Sequence, residues 1–206
     1  MSLPNVEINQ EGWLTEAAGQ ISRLQSPNCD RGRNGNSVDL LVIHYISLPS
    51  GDFSGTHIIK LFMNAIDIKA HPSFTDLEDL KVSSHFLIRR NGSIIQFVST
   101  EDRAWHAGNS TFDGREKCNE FSVGIEMEGT GEVPFEEDQY AALVALSHAL
   151  KARYPQTLNA VLGHEHIAPG RKFDPGPHFD WTKFKRAYQP DLQVATNRPL
   201  AFPPSA

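Results

Sequence analysis

Cysteine is nearly absent: Cys29 and Cys118 are the only two in 206 residues, and they form no CxxC pair. A cysteine metal site is therefore not expected, and two free thiols in a reducing compartment is the plain reading. No apolar run approaches the roughly 20 residues that cross a bilayer, so no membrane partner is expected. Positive charge is in deficit, with 19 Lys and Arg against 25 Asp and Glu and a net charge of −6. Nucleic acid as the main partner demands a basic surface and is not expected either. Met1 to Glu11 lack the basic and apolar regions of a signal peptide, which points to the cytoplasm. Internal repeats and low-complexity segments are also missing. What remains is 39% hydrophobic and 21% charged, the composition of one soluble globular domain long enough to bury a core without disulfides.

Residues 24–37 are rich in turn formers and read as a loop. Asp39 to Ile46 is an apolar run, the pattern of a strand buried on both faces. His57 to Ile66 has helical spacing. Ser84 to Arg90 and Ser93 to Ser99 flank Asn91-Gly92, a hairpin signal in which both turn residues are expected at positive φ. Phe121 to Glu128 alternates, with Phe121, Val123, Ile125 and Met127 on one face and Ser122, Gly124, Glu126 and Glu128 on the other. Tyr140, Leu143, Leu146, Leu150 and Tyr154 trace one stripe of a helix over 136–154, stopped by Pro155. Asp180 is placed to cap a short final helix carrying Trp181, Phe184 and Tyr188. From Gln189 the chain is polar and proline-containing, a tail that could lie as an arm on the surface. The expected fold is α/β, a mixed central β-sheet flanked by α-helices, with one domain over 1–188 and a C-terminal tail over 189–206.

The segment Gly163-His164-Glu165-His166-Ile167-Ala168-Pro169-Gly170-Arg171-Lys172-Phe173-Asp174-Pro175-Gly176 concentrates chemistry on an irregular, Gly/Pro-shaped path. Imidazole and carboxylate are ordinary zinc ligands, and lysine stabilises a developing oxyanion. His44 and His164 each end an apolar run, and Asp174 precedes a turn. Singly, each has an ordinary structural explanation. Together they make a two-histidine, one-carboxylate set with a fourth position open, the catalytic rather than structural pattern. His166 competes with His44 for the second imidazole position, and periodicity does not separate them. Glu126 and Glu128 project the same way from one strand, and either could be a general base near zinc. Against that stands a solvated sheet face, which is common in antiparallel sheets. Lys172, two residues before Asp174, is placed to reach a reacting carbonyl.

These residues resemble the zinc-dependent N-acetylmuramyl-L-alanine amidases, in particular those acting on 1,6-anhydro-N-acetylmuramyl peptides in the cytoplasm. The matching blocks are Glu11-Gly12-Trp13-Leu14, Leu41 to Pro49, Ser84-His85-Phe86-Leu87-Ile88-Arg89-Arg90-Asn91-Gly92, Arg103-Ala104-Trp105-His106-Ala107-Gly108, Phe121 to Gly129, and Gly163 to Pro177. The resemblance implies a fold shared with phage lysozyme-type amidases and peptidoglycan-recognition proteins. It implies zinc on His44, His164 and Asp174, Glu126 as general base and Lys172 as oxyanion stabiliser. His166 and Glu128 then become supporting residues. Trp105, Lys81, Lys117 and Arg171 are the implied contacts to a small-molecule muropeptide. Tyr45 stands where relatives carry asparagine, and Lys81 and Lys117 where they carry arginine, which keeps charge but loses the bidentate fork. The implied reaction cleaves the amide between the lactyl group of the anhydro-sugar and L-alanine, in cell-wall recycling and hence control of β-lactamase induction, by a monomer. The alternatives are a periplasmic-type amidase on polymeric peptidoglycan and a non-catalytic binding module.

Overall fold

The apolar run at 39–46 forms the axis of the molecule. In the computed structural model, which describes residues 6–17, 19–188 and 200–203, it is a strand with five of its seven positions buried. The strands, in chain order, are β1 (Ile21–Arg23), β2 (Cys29–Asp30), β3 (Leu40–Ile46), β4 (Phe86–Ile88), β5 (Ile94–Gln96), β6 (Arg103–Ala104), β7 (Thr111–Phe112), β8 (Arg115–Glu116), β9 (Ser122–Glu128) and β10 (Ala160–Gly163). Six make the main sheet in the order β1-β5-β4-β9-β3-β10. All its neighbours run parallel except the β4–β5 pair, so the sheet is mixed. The helices are α1 (His57–Phe62), α2 (Glu137–Arg153), α3 (His164–Ile167) and α4 (Trp181–Tyr188).

The period-two pattern divides the sheet into two chemically different faces. Leu41 and Ile43 of β3 and Val123, Ile125 and Met127 of β9 pack with Leu143, Leu146 and Leu150 of α2 and Phe184 of α4. Each of these leucines is fully buried, worth about 1.5–3 kcal/mol in burial. Leu146→Ala should cost about 2–5 kcal/mol in denaturant unfolding. Gln139 welds the start of α2 to the sheet: its Nε2 donates to the Glu128 and Ile88 carbonyls. The opposite face carries Leu40, Val42, His44 and the Ser122–Gly124–Glu126–Glu128 row. It is covered by loops, by α3 and by the α1 region, and every residue of β9 is buried. The solvated face considered for Glu126 is therefore not what forms, because β9 is an interior strand with cover on both sides.

Two further expectations are corrected in detail, and a third, the tail, is seen in part. The Asn91-Gly92 hairpin forms, but only Gly92 takes positive φ. Gly92 N–H donates to the Arg89 carbonyl and Arg89 N–H to the Ser93 carbonyl, a longer connection with glycine alone in the left-handed position. The loop at 24–37 contains β2, which pairs antiparallel with β6. Within the tail, residues 189–199 and 204–206 lie outside the described residues. Ala201 bridges β10 in parallel, and Leu200 is buried. That short stretch covers the β10 edge, which would otherwise present unpaired backbone groups. Asp180 caps α4 as expected, its Oδ1 accepting from Lys183 N–H at 2.8 Å.

Candidate metal centre and catalytic site

Strand register assembles the site. β10 and β3 run parallel with Gly163 opposite Ile43, so the next residues, His164 just past the end of β10 and His44 still within β3, stand at the same level. On the other side of β3, His44 is the register partner of Glu126 on β9. Three neighbouring strands thus deliver two imidazoles and a carboxylate side by side at their carboxyl ends, where open α/β sheets bind ligands. The Gly/Pro segment after α3 then brings Asp174 back over the pair.

His44, His164 and Asp174 present one ligand atom each within 4.8 Å of one another. Nδ1 of His44 lies 3.0 Å from Nδ1 of His164 and 2.8 Å from Oδ2 of Asp174, and His164 Nδ1 is 3.1 Å from the same oxygen. Both histidines are 2% exposed. His164 Nε2 faces the Ala107 carbonyl at 2.9 Å. A carbonyl only accepts, so Nε2 carries the proton and Nδ1 offers its lone pair. A lone pair and a carboxylate oxygen at that separation repel unless a cation lies among them. Two imidazoles and one carboxylate with a fourth direction open suit zinc. Burial pushes His44 down to about 4 against the pull of Asp174, which keeps it in the neutral, metal-ready form. Burial alone would raise the Asp174 carboxyl, but the His164 and His44 imidazoles outweigh it and hold it well below the usual range.

Glu126 is buried, and its Oε2 has no hydrogen-bond partner. Burial, then the charge of Asp174, pushes its carboxyl well above the ordinary range, with Lys172 pulling the other way. Glu128 is buried too but engaged: Oε1 pairs with Arg89 at 3.2 Å and Oε2 accepts from Arg90 N–H at 3.0 Å. The two carboxylates thus differ in their partners. His166 likewise has a structural bond, accepting at Nδ1 from Gly163 N–H at 3.0 Å, and stands outside the ligand cluster.

His44, His164, Asp174, Glu126 and Lys172 line a cavity of about 470 Å³, which Glu128 and His166 do not. Trp105 and Arg171 line it too. Trp105 Nε1 donates to the Asp30 carboxylate, which fixes the indole. Arg171 spends its guanidinium on the Ala107 and Asn109 carbonyls. Lys81 is exposed beside the lining residues Leu80 and Val82, and Lys117 is exposed before the 3₁₀ turn Cys118–Glu120; neither lines the cavity. Sequence reasoning missed the apolar wall of Leu48, Leu77, Leu80 and Val82, and Phe173, which is 71% exposed at the rim. Phe173 sits between Lys172 and Asp174, and that position was the available signal. A second cavity, of about 550 Å³, lies between α2 and the 177–183 stretch. Its charges are spent on local pairs, Lys183 with Glu137 and Asp180 at the α4 cap.

Comparison with known proteins agrees with this geometry. The profile of the N-acetylmuramoyl-L-alanine amidase family matches residues 34–177. The chain is 49% identical over 180 residues to the 1,6-anhydro-N-acetylmuramyl-L-alanine amidase AmpD of Citrobacter freundii, covering 87% of this chain and 94% of that protein. The crystal structure of a selenomethionine AmpD derivative superposes with a TM-score of 0.81 at 48% identity, covering 86% of this chain and 97% of that one. The Escherichia coli N-acetylmuramyl-L-alanine amidase AmiD, solved with anhydro-N-acetylmuramic acid-L-Ala-D-γ-Glu-L-Lys, matches with a TM-score of 0.51 at 31% identity over 89% of this chain and 65% of that one.

Proposed function

The chain belongs to the N-acetylmuramoyl-L-alanine amidase family, and from that premise we propose that it is a zinc-dependent 1,6-anhydro-N-acetylmuramyl-L-alanine amidase. It cleaves the amide between the lactyl group of the anhydro-sugar and L-alanine of the stem peptide, in peptidoglycan recycling. The observation that carries this reading is the buried Glu126 carboxylate, with one oxygen left without a partner, on the strand beside three converging ligand atoms.

His44, His164 and Asp174 hold the metal. When bound, zinc supplies Lewis acidity, polarising the scissile carbonyl and lowering the pKa of a water molecule. Glu126 takes the proton of the attacking water and later delivers it to the leaving amine of L-alanine. Its raised pKa suits both halves of that task. Lys172 places a cation in the cavity for the charge that develops on the carbonyl oxygen, an interaction stronger in the transition state than in the ground state. Trp105 and the apolar wall exclude water and bind the less polar parts of the muropeptide. Every one of these groups comes from a single chain, so a monomer suffices. Cys29 and Cys118 stand as free thiols, which suits the reducing cytoplasm. No helix among the described residues is long and apolar enough to cross a membrane.

The test is metal analysis together with hydrolysis of an anhydro-muramyl tripeptide, with and without a chelator, read by mass spectrometry. About one zinc per chain and chelator-sensitive release of free peptide is the expected result. Cleavage of intact sacculi in preference to the soluble muropeptide would shift the reading to a polymer amidase, and zinc without any cleavage would leave a binding module.

A further inference from the structure

We propose that His106 and Ser122 are positioning residues that fix the proton of His44 on Nε2 and so aim its Nδ1 lone pair at the metal. The inference rests on the zinc reading above. It follows from a chain of hydrogen bonds that can run in one direction only, because its far end is a backbone carbonyl.

The Ser122 hydroxyl donates to the Cys118 carbonyl at 2.6 Å. Its single proton is spent there, so toward His106 Nε2, 3.2 Å away, it acts as acceptor. His106 Nε2 must then carry the imidazole proton, which leaves a lone pair on Nδ1. That nitrogen lies 3.0 Å from His44 Nε2, which is therefore the protonated nitrogen of His44. The other nitrogen, Nδ1, is the one facing His164 and Asp174. Ala107 does the same for His164 in a single step. Consecutive residues of one loop thus set the tautomer of both histidines.

The loop is built to hold that position. Asn119 Oδ1 accepts from both His106 N–H, at 3.2 Å, and Ala107 N–H, at 2.8 Å. Beneath the imidazole lies Gly124 of β9, where an added Cβ would sit 2.5 Å from the His106 ring. Glycine at that point of an interior strand costs packing and backbone entropy. It admits the ring to the sheet surface next to His44. Outer partners of this kind fix ligand orientation, and their loss commonly costs metal affinity.

The experiment measures zinc affinity of the full chain by competition with a chromophoric chelator, and the absorption spectrum of the cobalt-substituted protein. His106→Leu should weaken zinc by about 10–100-fold and shift the cobalt bands. His106→Asn, whose side-chain carbonyl can stand where Nδ1 stood, should recover most of the affinity and the wild-type spectrum. A purely structural role would not separate Leu from Asn. Ser122→Ala keeps the ring and removes the acceptor at its Nε2 together with the hydroxyl donor to the Cys118 carbonyl, so it should move affinity in the same direction. If His106→Leu does not fold, Ser122→Ala decides alone. Wild-type affinity and spectrum in His106→Leu, or in Ser122→Ala as the sole folded variant, would overturn the inference while leaving the zinc reading intact. A wild type that binds no zinc would remove both.

Discussion

Glu126 and Glu128 stand two residues apart on β9, on the same face, and both are buried, at 9% and 1% exposure. Each has its carboxyl raised, and burial is the first cause for each. What separates them is company. Glu128 is tied to Arg89 and to the Arg90 amide, residues of the turn that closes the β4–β5 hairpin. Glu126 has one oxygen with no partner and lines the cavity. A buried carboxylate left without a partner costs several kcal/mol, and folding alone gives no reason to keep it. A buried carboxylate with partners is architecture. Partner accounting separates the two carboxylates where burial and spacing do not, and the proposal that Glu126 carries the chemistry rests on it.

Four perturbations break or sharpen that contrast. Glu126→Gln should lower kcat by about 10²–10⁴-fold with zinc content unchanged and no loss of stability, measured by steady-state hydrolysis and thermal unfolding. Lys172→Met should cost about 10²–10³-fold in kcat. Lys172 also opposes the rise at Glu126. Glu126 must be ionised to accept a proton, so activity falls as pH drops through its pKa. That acid limb should move up in Lys172→Met relative to the wild type. Glu128→Gln should act on the other side of the contrast. It removes the charge paired with a partly exposed Arg89, which keeps the Phe53 and Gly55 carbonyls, and should lower unfolding free energy by roughly 1–3 kcal/mol, with turnover per folded molecule near wild type.

The fourth perturbation concerns His85, another buried group with structural partners. Its Nδ1 accepts from Gly124 N–H, and burial, with Arg33 nearby, holds it well below the usual histidine range. Above the unfolded value of about 6.5 both states are neutral and the group adds no pH dependence. Below it the unfolded chain binds a proton that the native one refuses. Stability should then fall by about 1.4 kcal/mol per pH unit for each such histidine. His85→Gln should remove one such share of the slope between pH 7 and pH 5 in denaturant titrations.

The elements that could be read from the sequence were those carrying their own period or stop signal: the β3 run, alternating β9, the α2 stripe ended by Pro155, and the Asn91-Gly92 turn. His44, His164 and Asp174, whose ligand atoms the fold brings together, were legible as candidates because strand ends and a Gly/Pro loop mark places where side chains converge, although the residues alone left His166 in competition with His44. The choice between Glu126 and Glu128 was not, because it depends on which residues the β4–β5 turn brings across, a contact made some 38 residues away in sequence. His106 was invisible for the same reason: its role depends on Ser122 and on the missing side chain of Gly124, and no local pattern announces either. The two-residue strands and the return of Ala201 to β10 are too short for any periodic signal and exist only through tertiary pairing.

The central claim is that Glu126, and not Glu128, handles the proton. The most direct measurement is hydrolysis of the same anhydro-muramyl tripeptide by Glu126→Gln and Glu128→Gln, each zinc-loaded and at equal folded concentration. The account predicts an inactive Glu126→Gln beside a nearly wild-type Glu128→Gln. Normal turnover by Glu126→Gln, or loss confined to Glu128→Gln, would contradict it.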